Sequence, residues 1–114
     1  MTVGLEIVVE IKDGKHVLRC SGRIDAASAT VLEKKMNDLL KENDKWILLD
    51  FTNVHYLSSA GMRVLLSMTK KLKAKDGGLL IFHVNAEIME IIKMAGFERI
   101  LHIFPTEKDA LAGR

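Results

Sequence analysis

Three short runs in this chain are almost wholly apolar: Trp46-Ile47-Leu48-Leu49-Asp50-Phe51, Leu79-Leu80-Ile81-Phe82-His83-Val84 and Ile100-Leu101-His102-Ile103-Phe104. A strand that is apolar along its whole length has two faces to bury, and parallel sheets with helices packed on them are where such strands occur. The segments between the runs carry their apolar residues at helical spacing instead. This alternation constrains the chain to an α/β architecture with a mostly parallel sheet.

The remaining elements fit around that frame. Leu5–Ile11 and His16–Cys20 read as two strands joined through Asp13-Gly14, residues suited to the positive φ angles of a type I′ hairpin turn. The second strand continues through Ser21-Gly22-Arg23-Ile24. Asp25 then offers a side-chain acceptor to a helix running from Ala26 to about Glu42, with Leu32, Met36, Leu39 and Leu40 on one stripe. A second helix starts near Ser58-Ser59 and runs to about Lys75, with Met62, Leu65, Met68 and Leu72 inward and Asp76-Gly77-Gly78 closing it. Lys70, Lys71, Lys73 and Lys75 crowd its end, where they complement the helix dipole. Asn85 caps a short helix carrying Ile88, Ile91, Ile92 and Ala95, closed by Gly96. Pro105 ends the last strand, and Thr106 caps a final helix over Glu107–Ala112. The expected fold is therefore a single domain over residues 1–114, with about five strands opened by an N-terminal hairpin and about four helices.

Charge and cysteine content narrow the function classes. Seventeen Lys and Arg against fifteen Asp and Glu leave a net charge of +2, too little to make nucleic acid or an anionic membrane the expected partner. The single Cys20 cannot form an intramolecular disulfide or a thiolate metal cluster and reads as a small buried hydrophobe. The methionines read mostly as core or near-core residues. Glu6 and Glu10 interrupt the N-terminal apolar stretch, which is unlike a signal peptide, and no run reaches the roughly 18 apolar residues of a membrane span. A cytoplasmic protein is expected, and a monomer needs no further assumption. His16, His55, His83 and His102 fall in separate elements, so no metal site is expected, and no cofactor loop is present.

In such sheets ligands and modifications gather where strands end and helices begin. Ser58-Ser59-Ala60-Gly61 occupies that place, with two hydroxyls and small residues at the start of a helix whose free N–H groups favour a negative charge. These residues serve equally well as an ordinary helix cap. The wider pattern is more specific. Asp50, Phe51, Thr52, Val54, Tyr56, Leu57, Ser58, Ser59, Ala60 and Gly61 resemble the signature of STAS domains, the sulfate transporter and anti-sigma factor antagonist family. Gly22-Arg23-Ile24-Asp25 is similar to that family's Gly-x-Ile/Leu-Asp, and element order and length agree along essentially the whole chain.

The resemblance implies a switch that is not an enzyme and carries no cofactor. Free-standing members, when unphosphorylated, bind an anti-sigma factor that is often a serine kinase and so release a sigma factor. The kinase phosphorylates the motif serine, and a PP2C-type phosphatase restores the active form. By position, Ser59 is the phosphoacceptor and Ser58, where many members carry Asp, is the second choice. The implied partner surface comprises Asp25, Ser58, Ser59, Ala60, Gly61, Met62 and Arg63. Met62-Arg63 stands where Leu-Gly is common, which puts Arg63 four residues beyond Ser59 on the helix.

Three alternatives stand beside this reading. Asp50 ends a central strand as a phosphorylated aspartate does in receiver domains, but the opening hairpin supplies no acidic cluster for Mg²⁺. A serine hydrolase would need a G-x-S-x-G elbow, which Ser58-Ser59-Ala60-Gly61 does not provide. The third stays within the fold: a STAS scaffold or transport-accessory module that binds a partner without any phosphorylation cycle.

Overall fold

The computed structural model describes residues 4–113; positions 1–3 of the N-terminal stretch and position 114 lie outside the described residues. The elements follow in the expected order: β1 Leu5–Lys12, β2 Lys15–Ile24, α1 Ala26–Lys41, β3 Trp46–Leu57, α2 Ser59–Lys73, β4 Gly78–Phe82, α3 Ala86–Met94, β5 His102–Phe104 and α4 Glu107–Ala112. The strands form one sheet in the order β1-β2-β3-β4-β5, with β1 antiparallel to β2 and the rest parallel. Asp13 and Gly14 turn the hairpin with φ of 53° and 76°, the positive pair that a two-residue type I′ turn needs.

Alternating residues of the strands divide the interior into two cores. Leu18, Cys20, Ile47, Leu49, Phe51, Leu79 and Ile81 face α1, α2 and α3, whose Leu32, Met36, Leu65, Met68, Leu72, Ile88 and Ile92 complete the larger core. Val17, Leu48, Leu80 and Phe82 face the other way, onto Ala110 of the short α4 with Trp46, Phe104 and Leu111 at its margin. β4 and the apolar part of β3 are thus covered on both faces, though the second cover is one six-residue helix, whereas β5 at the sheet edge is only partly buried, with His102 and the preceding Ile100 exposed.

Three boundaries differ from the sequence expectation. β3 runs on through Leu57 instead of stopping at Phe51. Its buried residues change from a spacing of two, in Ile47, Leu49 and Phe51, to a spacing of three, in Val54 and Leu57. The cause is two register shifts against β2: Arg19 pairs with Asp50 but Ser21 with Asn53, and Gly22 pairs with Val54 but Arg23 with Tyr56. Each shift places an extra β3 residue in a bulge, which hides the strand from a period-two reading. β4 ends at Phe82 because His83 adopts a φ of 57°, and β5 begins only at His102 because Ile100 closes a turn on Phe97.

α4 is held against the sheet by charge as well as by Ala110. Glu107 accepts from Nη1 of Arg19 at 2.6 Å and from Nζ of Lys12 at 2.8 Å, and Arg19 also reaches Asp50 at 3.1 Å and Glu10 at 3.3 Å. The hydrogen bond from Arg19, followed by that from Lys12, lowers the Glu107 pKa from 4.5 to about 2. A carboxylate with a depressed folded-state pKa contributes stability that is complete above its unfolded value and is lost as pH falls through the folded one. Wild-type stability in urea is therefore expected to fall between about pH 4.5 and pH 2, and Glu107→Gln should be less stable at neutral pH with a flatter acid limb. Parallel acid limbs in the two proteins would refute this role for Glu107.

Candidate functional site

The candidate site lies where β2 and β3 end side by side. Ile24 pairs with Leu57, and the Ile24 carbonyl accepts the N–H of Ser58 at 2.8 Å, so the starts of α1 and α2 are neighbours. Asp25 caps α1. Its Oδ1 accepts from the backbone N–H groups of Ala27 at 3.1 Å and Ser28 at 3.0 Å, while the Ser28 hydroxyl accepts from the Asp25 N–H at 2.9 Å. These bonds, the Ser28 backbone N–H foremost, lower the Asp25 pKa. Ser28 itself is buried and donates to the Arg23 carbonyl at 2.7 Å, tying the cap to the end of β2.

The two candidate serines have different surroundings. Ser58 is the N-cap of α2, half-buried, and its Oγ accepts the Gly61 N–H at 3.1 Å. Ser59 is the first residue of the helix and is exposed, outside that capping bond. Gly61 is buried, and a Cβ there would lie 2.6 Å from Cγ2 of Ile24 and 2.8 Å from Cδ1 of Leu57. Its place in the motif is thus a packing requirement: only a residue without a side chain lets the first turn of α2 rest on the two strand ends.

Beside Ser59 an apolar groove of about 250 Å³ runs between α2 and α3, lined by Ser59, Met62, Arg63, Ile91, Ala95 and Phe97. Met62 is buried in the main core and forms its floor, whereas Arg63 is exposed. Of the expected partner surface, then, Ser59 and Arg63 are open, Asp25, Ser58 and Ala60 are partly open, and Gly61 and Met62 act from beneath. Of the apolar residues expected along the third helix, Ile88 and Ile92 turn into the core, while Ile91 and Ala95 are exposed and form a groove wall. Met94, expected near the core, is 81% exposed next to this wall.

Other residues singled out earlier have structural settings. Asp50 accepts from the Thr52 backbone N–H at 2.9 Å and the Thr52 hydroxyl at 2.5 Å beside the first bulge, and Thr52 Oγ1 lies 2.8 Å from Nδ1 of His83. Cys20 is buried, and desolvation pushes its thiol up to about 12, so it stays a neutral core group. Asn85 caps α3 through Ile88 and donates to the Val54 carbonyl at 3.0 Å, which braces the extended end of β3. Arg23 lies 4.2 Å over the Tyr56 ring, a cation–π contact between strand ends that no sequence signal marked. Among the described residues, no three His, Cys, Asp or Glu side chains come together as metal ligands would, and no helix is long and apolar enough to cross a membrane.

Comparison with known proteins agrees with this architecture. The family model described as STAS domain matches residues 6–110. An anti-sigma F factor antagonist of Paenibacillus polymyxa is 26% identical over 110 residues, covering 96% of this chain and 94% of the relative. The anti-sigma-F factor antagonist RsfB of Mycobacterium tuberculosis is 27% identical over 112 residues, covering 96% and 88%. Among solved structures, an anti-sigma factor antagonist from Mycobacterium paratuberculosis superposes with a TM-score of 0.85 at 26% identity, covering 95% of this chain and 92% of that one.

The unequal surroundings of the serines yield a stability test. Ser58→Ala removes the α2 cap and should cost about 1 kcal/mol in urea denaturation, whereas Ser59→Ala should stay within about 0.5 kcal/mol of wild type. Gly61→Ala should be the most destabilising of the three. A Ser59→Ala loss equal to that of Ser58→Ala would show that the capping roles are misassigned.

Proposed function

The chain belongs to the STAS domain family, and from that premise we propose that it is an anti-sigma factor antagonist switched by phosphorylation of Ser59. The relatives are named as antagonists of anti-sigma factors, which are regulatory binding proteins. In this reading the unphosphorylated protein binds an anti-sigma factor in the cytoplasm through the α2 start, the Asp25 loop and the adjoining groove, and a sigma factor is freed. The anti-sigma factor doubles as the serine kinase, and a PP2C-type phosphatase reverses the modification.

The observation that carries the assignment is the inequality of the two hydroxyls. Ser58 is engaged as the cap of α2, while Ser59 stands exposed one residue later, on the same helical turn and at the mouth of an apolar groove. A kinase can reach the second hydroxyl without unravelling the helix. The phosphate would add about −1.5 to −2 charges at a helix N-terminus, where the dipole and free N–H groups favour an anion, so the carrier need not refold. Arg63, four residues on and lining the same groove, offers a neighbouring cation. The net charge of +2 would fall to near zero.

The cost falls on the complex instead. A partner surface shaped for a small hydroxyl and an apolar groove would have to admit added volume and desolvate a dianion. Association is thus lost through the interface alone, with the fold intact.

Incubation with ATP and the cognate anti-sigma kinase, followed by mass-spectrometric mapping, should place the label on Ser59. Ser59→Ala should abolish labelling and bind the anti-sigma factor within about twofold of wild type, while Ser59→Asp should weaken binding at least about tenfold, or about 1.4 kcal/mol. A label on Ser58, or unchanged affinity of Ser59→Asp by titration calorimetry, would overturn the assignment.

A further inference from the structure

The two edges of the sheet are unlike. β5 is three residues long and is stopped at once by Pro105, which leaves little to pair with. β1 is eight residues long, contains no proline and no residue of positive φ, and keeps an unbroken register with β2 from Leu5 to Lys12. It has none of the bulges or prolines that blunt a free strand, and its charges lie on one face only. It also exposes apolar side chains: Val8 is 51%, Val9 38% and Ile11 68% exposed.

The phase of its free hydrogen-bonding groups follows from the hairpin. In a two-residue hairpin the residues flanking the turn, here Lys12 and Lys15, form a hydrogen-bonded pair, so Lys12, Glu10, Val8 and Glu6 direct their N–H and C=O groups at β2. Ile11, Val9, Ile7 and Leu5 direct theirs outward. Ile7, Val9 and Ile11 also share the sheet face of the larger core, against which Ile7 is partly packed.

We infer that β1 is a self-association edge, along which two copies of this chain pair antiparallel with Val9 opposite Val9 of the second copy. Only odd-numbered residues can be hydrogen-bonded partners across this edge, which leaves few registers. Centring on Val9 sets Ile7 opposite Ile11 and Glu6 opposite Lys12, each twice by symmetry. Shifting one step toward Leu5 sets Glu6 opposite Glu10, and one step toward Lys12 sets Glu10 opposite itself; both place like charges face to face. Centring on Ile11 also sets Glu10 opposite Lys12 but pairs Val9 with Asp13 of the turn, so among the registers that keep Ile7, Val9 and Ile11 all paired within β1, charge complementarity selects this one. Lys12, although bridged to Glu107, keeps a side chain 47% exposed and able to meet Glu6 of the second copy.

The joined sheet would gain about six main-chain hydrogen bonds and an unbroken Ile7-Val9-Ile11 stripe from both copies. Because β1 runs antiparallel to β3, the two α2 starts would stand at opposite ends of the assembly, each open to its own partner. This association departs from the monomer expected from sequence and does not depend on the proposed phosphorylation switch.

Amide hydrogen exchange and sedimentation equilibrium on the purified full chain, over a concentration series reaching the millimolar range, test it. The amides of Ile7, Val9 and Ile11 should gain at least about tenfold protection as the dimer forms, while those of Val8 and Glu10, already bonded to β2, should not change. Glu6→Lys should weaken the dimer about tenfold by setting Lys against Lys12 twice, and Val9→Lys should do so more strongly. Circular dichroism should confirm that both variants stay folded. A chain that remains monomeric across the series, a dimer indifferent to both variants, or protection that appears away from these odd-numbered amides would each overturn the inference.

Discussion

The position of the α2 start depends on one close approach. Gly61 lies against Ile24 and Leu57 so tightly that even a methyl group would collide with both side chains. That contact lets the first turn of α2 rest on the paired ends of β2 and β3. It also holds Ser58 where its N–H meets the Ile24 carbonyl and its hydroxyl caps the helix. With the cap seated, the next residue, Ser59, is turned out to solvent. The exposure of one hydroxyl is therefore a consequence of how little room there is two residues further on.

The second constraint is the extra length of β3. Two bulges let this strand run to Leu57 while still returning Val54 and Leu57 to the core, and Asp50 braces the first of them through Thr52. Without the inserted residues the strand would present the wrong face beyond Phe51. Asn85 reinforces the far end through the Val54 carbonyl, so the loops at the candidate site are anchored from both neighbouring helices. On the opposite face a short helix is secured largely by ion pairs, with Arg19 reaching Glu107, Asp50 and Glu10 from a partly shielded position. On this base the proposed modification of Ser59 would act on partner affinity through the surface alone, leaving the fold unchanged.

Much of this was legible in the chain. The Asp13-Gly14 turn, the caps at Asp25, Ser58, Asn85 and Thr106, and the core stripes of α1 and α2 all occur where local chemistry placed them, because each depends on residues within one or two turns of each other. The end of β3 was not legible, because a bulge breaks the period on which strand recognition rests. Nor was the exposure of Ile91, Ala95 and Met94, since a short helix with apolar residues around much of its circumference does not announce which of them a neighbour will cover.

The sequence by itself determined the alternation of elements, the parallel sheet and the motif with its two adjacent serines, since periodicity, turn chemistry and capping act over short distances along the chain. Only the tertiary structure decided which serine is engaged and which is open, that Gly61 is there for packing, that α3 forms a groove with α2, and that β1 is left with a free edge. Those outcomes depend on which distant segments come into contact and how closely, and a linear pattern of residues does not carry that information.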